Sequence, residues 1–320
     1  MSVLFSALPT AAVTSVGAPW MWGAFTLLIV FFLALDLGVL NRKPHAVGLK
    51  EALGWTAFWV SLALLFNVFV AWAFGRQAAL EFLTGYVIEE ALSIDNIFVF
   101  VVVFSFFAVP PSLQHRVLFW GIIGAFFMRL AFILVGTALL EAFSWVIYVF
   151  GAFLVVTALR LGLHEETEIH PDRNPLLRLI RRFVPVTADY EGTHFLVRRS
   201  GRWFATPLLM VLIVIEGTDL VFAVDSIPAI FAVTRDPFIV FTSNIFAILG
   251  LRSLYFLLAS VIHRFHYLRY GLALVLGFVG VKMLLSGYWH VPIGLSLGIV
   301  VGLLGGSVLL SLLVPPRDKS

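Results

Sequence analysis

The sequence contains no cysteine, and only 12% of its residues are Asp, Glu, Lys or Arg against 61% apolar ones. Without cysteine there is neither a disulfide framework nor a thiolate metal site. So little charge spread over 320 residues excludes a soluble globular domain. The eight histidines all lie outside the apolar runs, which argues against an intramembrane haem or a His-ligated zinc site. The first nineteen residues carry no Lys or Arg, so no cleaved signal peptide is expected there. Trp20 and Trp22, which open the first apolar run, read instead as interfacial anchors.

What the chain does have is a succession of apolar runs, each close to the roughly 20 residues that cross a bilayer as a helix. Nine spans are predicted, at about 20–40, 54–75, 83–108, 118–140, 144–162, 207–233, 238–260, 267–286 and 293–314. The expected fold is therefore an all-α polytopic membrane protein forming a single transmembrane domain over 1–320. Basic residues sort to one side of it. The N-terminal side offers only Arg76 and Arg235, whereas the other side carries Arg42, Lys43, Lys50, Arg116, Arg264, Arg269, Arg317 and Lys319. Seven further arginines lie in the one long loop, 163–206. By the positive-inside rule the N-terminus is outside and the C-terminus and long loop are cytoplasmic.

Within that loop, Asn174–Val184 has leucines and arginines at helical spacing, suited to the inner leaflet or to a solvated helix. Phe195–Phe204 reads as a hairpin around Ser200 and Gly201. Glu165, Glu166 and Glu168, beside His164 and His170, read as a solvated charge run rather than a metal site.

The organising stretch is Leu208–Val233, where Glu216, Asp219 and Asp225 interrupt an apolar span. A carboxylate near the bilayer centre costs roughly 2.5–3.5 kcal/mol on insertion scales, so three in one span need a purpose. Gly85–Phe107 repeats the anomaly with Glu89, Glu90, Asp95 and Asn96. Aligning Asp95-Asn96-Ile97 with Asp225-Ser226-Ile227 places Glu89 on Asp219. Arg129 and Arg252 follow in the next spans, and Tyr148 to Arg160 matches Tyr270 to Lys282. Units of about 83–162 and 207–286 thus repeat, and because each has three spans the second must run inverted.

Glu89, Ser93 and Asn96 share a helical face, and Asp219 and Ser226 form the matching one. Asp95 and Asp225 sit about a third of a turn aside on regular helices, at ~100° per residue. A local break at Pro228, which cannot bond the carbonyl of Val224, is expected to bring them toward the same centre. Carboxylates, the amide oxygens of Asn96 and Asn244 and a freed carbonyl make an all-oxygen site suited to Mg²⁺, Ca²⁺ or Mn²⁺. The alternative is internal neutralisation by Arg129 and Arg252, but two arginines leave most of these acids, Asp36 among them, without a buried basic partner. A carboxylate-lined cavity repels oxyanions, and the absence of Gly-x-Gly-Asp speaks against an intramembrane aspartyl protease. No enzymatic activity and no resident cofactor are expected.

The strings at 216–231 (EGTDLVFAVDSIPAIF) and 236–252 (DPFIVFTSNIFAILGLR), with LSIDNIFVF at 92–100 and LDLG at 35–38, resemble the TerC/Alx family of bacterial integral membrane proteins. The resemblance covers the chain from the first span to the eighth. It implies manganese export from the cytoplasm across the inner membrane, kinship with LysE-like exporters, and an association with tellurium resistance. The family acids fall on Glu89, Asp95, Glu216, Asp219 and Asp225, with Asn96 and Asn244 beside them. Glu90 adds an acid the pattern lacks, and Gly217 stands where threonine is common. The function expected is export of a divalent cation, Mn²⁺ first and Ca²⁺ second, with proton antiport as a driving force. The alternative is a membrane stress-response component acting in tellurite resistance without carrying an ion. Expected partners are the ion and the lipid bilayer, with no nucleic acid; monomer and homodimer both fit.

Overall fold

The computed structural model describes residues 15–35, 48–163, 185–199, 201–259, 267–289 and 291–314. Eight helices are found among them: α1 (Pro19–Leu35), α2 (Leu49–Phe106), α3 (Pro111–Ala142), α4 (Val146–Leu163), α5 (Pro207–Phe231), α6 (Pro237–Leu258), α7 (Leu268–Leu284) and α8 (Ile293–Leu313). Six of them are long and apolar enough to cross a bilayer, so the architecture is that of an all-α membrane protein.

α2 is two arms rather than one rod. Gly75 interrupts it with φ 89° and ψ 172°, a conformation that residues with a Cβ rarely adopt. Phe66 and Phe82 lie on either side of this break, and their rings approach to 5.4 Å. Sixteen residues of straight helix would separate them by about 24 Å. The chain therefore doubles back at Gly75 alone, where the sequence reading expected two spans joined by a loop. α5 is the converse case. Its helix continues through Gly217 and Pro228 to Phe231, and the break expected at Pro228 is not there. Surrounding helices and small shifts can satisfy what a membrane-buried proline leaves unbonded.

α6 is the pillar of the bundle, with every residue from Phe238 to Tyr255 buried. A helix buried all round belongs at the centre of a packed assembly. Phe246 meets Phe66 at 4.9 Å and Phe25 at 5.7 Å, which fixes α1 and the first arm of α2 against it. Leu64, Leu65, Val68 and Trp72 on that first arm, and Leu309, Leu310 and Leu312 on α8, are exposed, as a lipid-facing surface requires.

Contacts also set the direction in which each pair of helices runs. The second arm of α2 and α5 are antiparallel, because Gly85 lies beside Ile230 while Asn96 meets Asp219. α3 and α6 are antiparallel, with Gln114 bonded to Tyr255 at 3.1 Å and Phe126 against Phe241. α4 and α7 are antiparallel and very close: a Cβ on Gly280 would stand 2.8 Å from the carbonyl oxygen of Gly151, and Gly162 faces Ala273. By contrast, the second arm of α2 runs parallel to α6, with Gly85 at Ser243 and Phe104 at Tyr255. α3 runs parallel to α5, with Gly121 at Ile215 and Gly136 at Phe231.

Before α5 stands the expected hairpin, β1 (Leu196–Arg199) paired antiparallel with β2 (Arg202–Ala205). It is tied down by the Thr206 hydroxyl, which donates to the carbonyl of His194 at 2.7 Å. Nearby, Tyr190 donates to the carbonyl of Phe107 at 2.8 Å, and burial pushes its phenol up from the ordinary value. Asp36, the 174–184 segment and the acidic run at 165–168 lie outside the described residues.

Candidate functional site

Arg129 enters the interior from the middle of α3 and is the largest fully buried side chain, at 1% exposure. Its guanidinium donates to Glu89 on the second arm of α2 and to the amide oxygen of Asn244 on α6. It also reaches the hydroxyl of Ser226 on α5 at 3.4 Å, and lies 3.6 Å from the carboxylate of Asp219. Four helices therefore meet on one cation. Asn244 in turn donates to the second oxygen of Glu89 at 3.3 Å, and Asn96 donates to Asp219 at 3.3 Å.

This network is incomplete in a specific way. Asn96 Oδ1 and Asp219 Oδ2 are buried and have no hydrogen-bond partner; neither do Ser93 Oγ and Arg129 Nε. Orphaned buried polar atoms are destabilising, about 1–3 kcal/mol each. Oxygens left over beside a carboxylate are what a hard cation recruits.

On one side of the arginine lies a cavity of about 90 Å³, lined by Glu89, Asp95, Asn96, Asp225, Ser226 and, from α4, Thr157. The hydroxyl of Thr157 donates to Asp225 at 3.1 Å. A single water needs only about 10–15 Å³ of such room, so a partly hydrated ion fits. A separate, tighter space of about 10 Å³ has mostly apolar walls, with Glu216, Asp219 and Arg252 as its charged lining. Asp219 lines the tighter space, while Asn96, which donates to it, and Arg129 line the larger cavity.

The sequence-predicted residues are thus distributed. Glu89, Asn96, Asp219 and Asn244 converge on Arg129. Asp95 and Asp225 face the larger cavity, turned aside from Glu89 and Asp219 as their helical positions dictate, with no helix break between. Glu216 does not join them; its carboxylate lies against Gly124 of α3. Glu90 points away from the network, toward Gly250, with the Tyr86 hydroxyl beside it. Among the described residues no three of His, Cys, Asp and Glu are placed to hold a metal by themselves, so any ion would also need amide and hydroxyl oxygens. The sequence reading missed Thr157. A lone threonine in an apolar span carried no signal before α4 was seen to wall the cavity.

The comparisons with known proteins agree with this placement in the membrane. Residues 74–319 match the integral membrane protein TerC family. An uncharacterized membrane protein of Myxococcus xanthus is 54% identical over 299 residues, covering 93% of this chain and 94% of its own. Relatives provisionally named membrane-bound redox modulator Alx are 48% identical in both Salmonella typhi and Escherichia coli K12. The match covers 95% of this chain and 98% of the Salmonella protein, and 91% and 93% for the Escherichia one. No solved structure matches. The chain belongs to the TerC family of multi-pass integral membrane proteins.

Proposed function

We propose that this protein exports a divalent cation, Mn²⁺ before Ca²⁺, from the cytoplasm through the site around Glu89, Asp95, Asn96, Asp219, Asp225 and Asn244. The observation that carries the proposal is the pair of buried, unpartnered oxygens, Asn96 Oδ1 and Asp219 Oδ2, beside an acid-lined cavity of about 90 Å³. An all-oxygen set of carboxylates, amides and hydroxyls suits Mn²⁺, Ca²⁺ or Mg²⁺ and disfavours softer metals. Glu216, which lines the tighter space, is proposed to hand the ion inward. The protein is not proposed to be an enzyme.

The proposal includes nine spans, counting the two arms of α2 separately, and an inverted repeat. Exchanging the second arm of α2 with α5, α3 with α6 and α4 with α7 maps the three antiparallel pairs onto themselves and the parallel pair of the second arm of α2 with α6 onto that of α5 with α3. Asn96 at Asp219 becomes Ser226 at Glu89, two groups that bond the same arginine. The three self-matched pairs are all antiparallel, which supports units crossing the membrane in opposite senses. In this reading the N-terminus is outside, the C-terminus cytoplasmic and the membrane the bacterial inner one. Proton antiport is the proposed drive, since protonating spare carboxylates releases a cation.

The relatives' name as redox modulators fits a transported redox-active metal, because this chain has no cysteine with which to act directly. A second reading, a non-transporting stress-response or tellurite-resistance component, draws support from Arg129, which already neutralises part of the cluster. Total cellular manganese separates the two in a manganese-sensitive bacterium expressing the native chain, Asp219→Asn or Asp225→Asn at equal membrane levels. Export predicts a fall in manganese with the native chain only. Unchanged manganese with all three favours the second reading.

A further inference from the structure

The site holds a cation of its own. Arg129 is permanently charged, and its guanidinium lies among Glu89, Asp219, Asn244 and Ser226. An arginine placed only to lock helices would have its donors satisfied, as buried polar groups generally are. Here Nε bonds nothing, while Asn96 Oδ1 and Asp219 Oδ2 accept nothing. The pocket leaves both donor and acceptor capacity unspent around the guanidinium, so it is not built for that group alone. If the guanidinium withdrew, Glu89 Oε1, Asn244 Oδ1, Ser226 Oγ and Asp219 Oδ1 would be released to join those two oxygens. Six oxygens of this kind are what a hard divalent ion takes.

We propose that Arg129 is the site's valence filter: a tethered monovalent cation that K⁺ or Na⁺ cannot displace from Glu89 and Asp219, but a divalent ion can. The inference rests on the export reading above. Its physics is charge accounting. Two carboxylates face one guanidinium, so replacing it with K⁺ leaves the local charge unchanged. K⁺ must also give up its freedom and hydration, whereas the arginine is already held in place by its own helix. Replacing the guanidinium with Mn²⁺ adds one positive charge opposite the same two carboxylates, and Coulomb attraction scales with that charge. Arg129 itself lines the larger cavity beside Glu89 and Asn96, so the exchange takes place at the wall of that cavity.

The test is equilibrium binding of Mn²⁺ to the purified full chain in detergent. K⁺ is exchanged for the bulky N-methylglucamine cation at constant ionic strength. The native protein should bind Mn²⁺ with a Kd that changes less than about 2-fold on adding K⁺. Arg129→Gln should bind Mn²⁺ more tightly without K⁺, and K⁺ should weaken that binding about 10-fold or more. Arg129→Lys, which keeps the tethered charge, should restore K⁺ insensitivity, a rescue that a purely structural role does not predict. If Arg129→Gln fails to fold, Glu89→Gln/Arg129→Gln removes both charges together and should still gain K⁺ sensitivity. Mn²⁺ binding by the native chain together with K⁺-insensitive charge-removed variants overturns the filter and leaves export standing. No Mn²⁺ binding by the native chain overturns the export reading and the filter with it.

Discussion

The ion pair between Glu89 and Arg129 should dominate the stability of the bundle core, and a double-mutant cycle can measure it. Both side chains are 1% exposed, so neither charge is relieved by water when its partner is removed. Losing one member of a buried pair is destabilising by about 3–5 kcal/mol. For Glu89→Gln we expect about 3 kcal/mol, the lower end, because Asp219 remains 3.6 Å from the guanidinium. Arg129→Gln should be the more damaging change, since it strands Glu89 and Asp219 together. In Glu89→Gln/Arg129→Gln the stranded charges are reduced to Asp219, which still accepts from Asn96. That double variant should therefore be more stable than Arg129→Gln alone, with a coupling of about 2–3 kcal/mol, the upper part of the range seen for contacting residues. The assay is reversible unfolding in mixed micelles, followed by the loss of helical circular dichroism. Single variants within about 1 kcal/mol of the native protein, or losses that simply add, would refute the reasoning.

Three other outcomes test the fold. Gly280→Ala puts a methyl 2.8 Å from the Gly151 carbonyl and 3.0 Å from the Val155 nitrogen. Thermal melts should show a loss of about 1–3 kcal/mol from this overpacking, whereas Gly298→Ala, with nothing within 4 Å, should be neutral or slightly stabilising. At Gly75 (φ 89°), substitution by valine should be destabilising by about 1–3 kcal/mol in the same melts, without touching any packing contact. Topology reporters complete the set: a fusion at the C-terminus should be active only as a cytoplasmic reporter, and one inserted at Arg76 only as an external one.

Much of this architecture was legible because a bilayer leaves the chain few choices. Backbone groups in lipid must bond internally, so apolar runs become helices, and α5 to α8 begin and end within about two residues of their predicted limits. The hairpin at 196–205 was equally legible from its turn residues. Two local signals misled. Gly75 was taken as the last residue of a span followed by a loop, but its positive φ allows a reversal without one. Pro228 was read as a break, but a proline's effect depends on what surrounds its helix, which sequence does not display. The acidic residues announced themselves by their insertion penalty. Which acid Arg129 would neutralise did not, since Glu89 and Asn244 lie 40 and 115 residues away along the chain. Partners at that separation are decided by packing. Thr157 was hidden for the same reason, and Glu216 was grouped with Asp219 because it interrupts the same span and matches a family acid, although its carboxylate turns toward α3.

The central claim is that an acidic site around Asp219 and Asp225 carries a divalent cation across the membrane. Mn²⁺ flux into proteoliposomes tests it most directly, using the native chain, Asp219→Asn and Asp225→Asn under an imposed pH gradient. The account predicts saturable native flux that is lost in both variants while their helical signal and unfolding transition persist. Absence of native flux under either a pH gradient or a voltage contradicts transport, and flux that survives both substitutions contradicts the site.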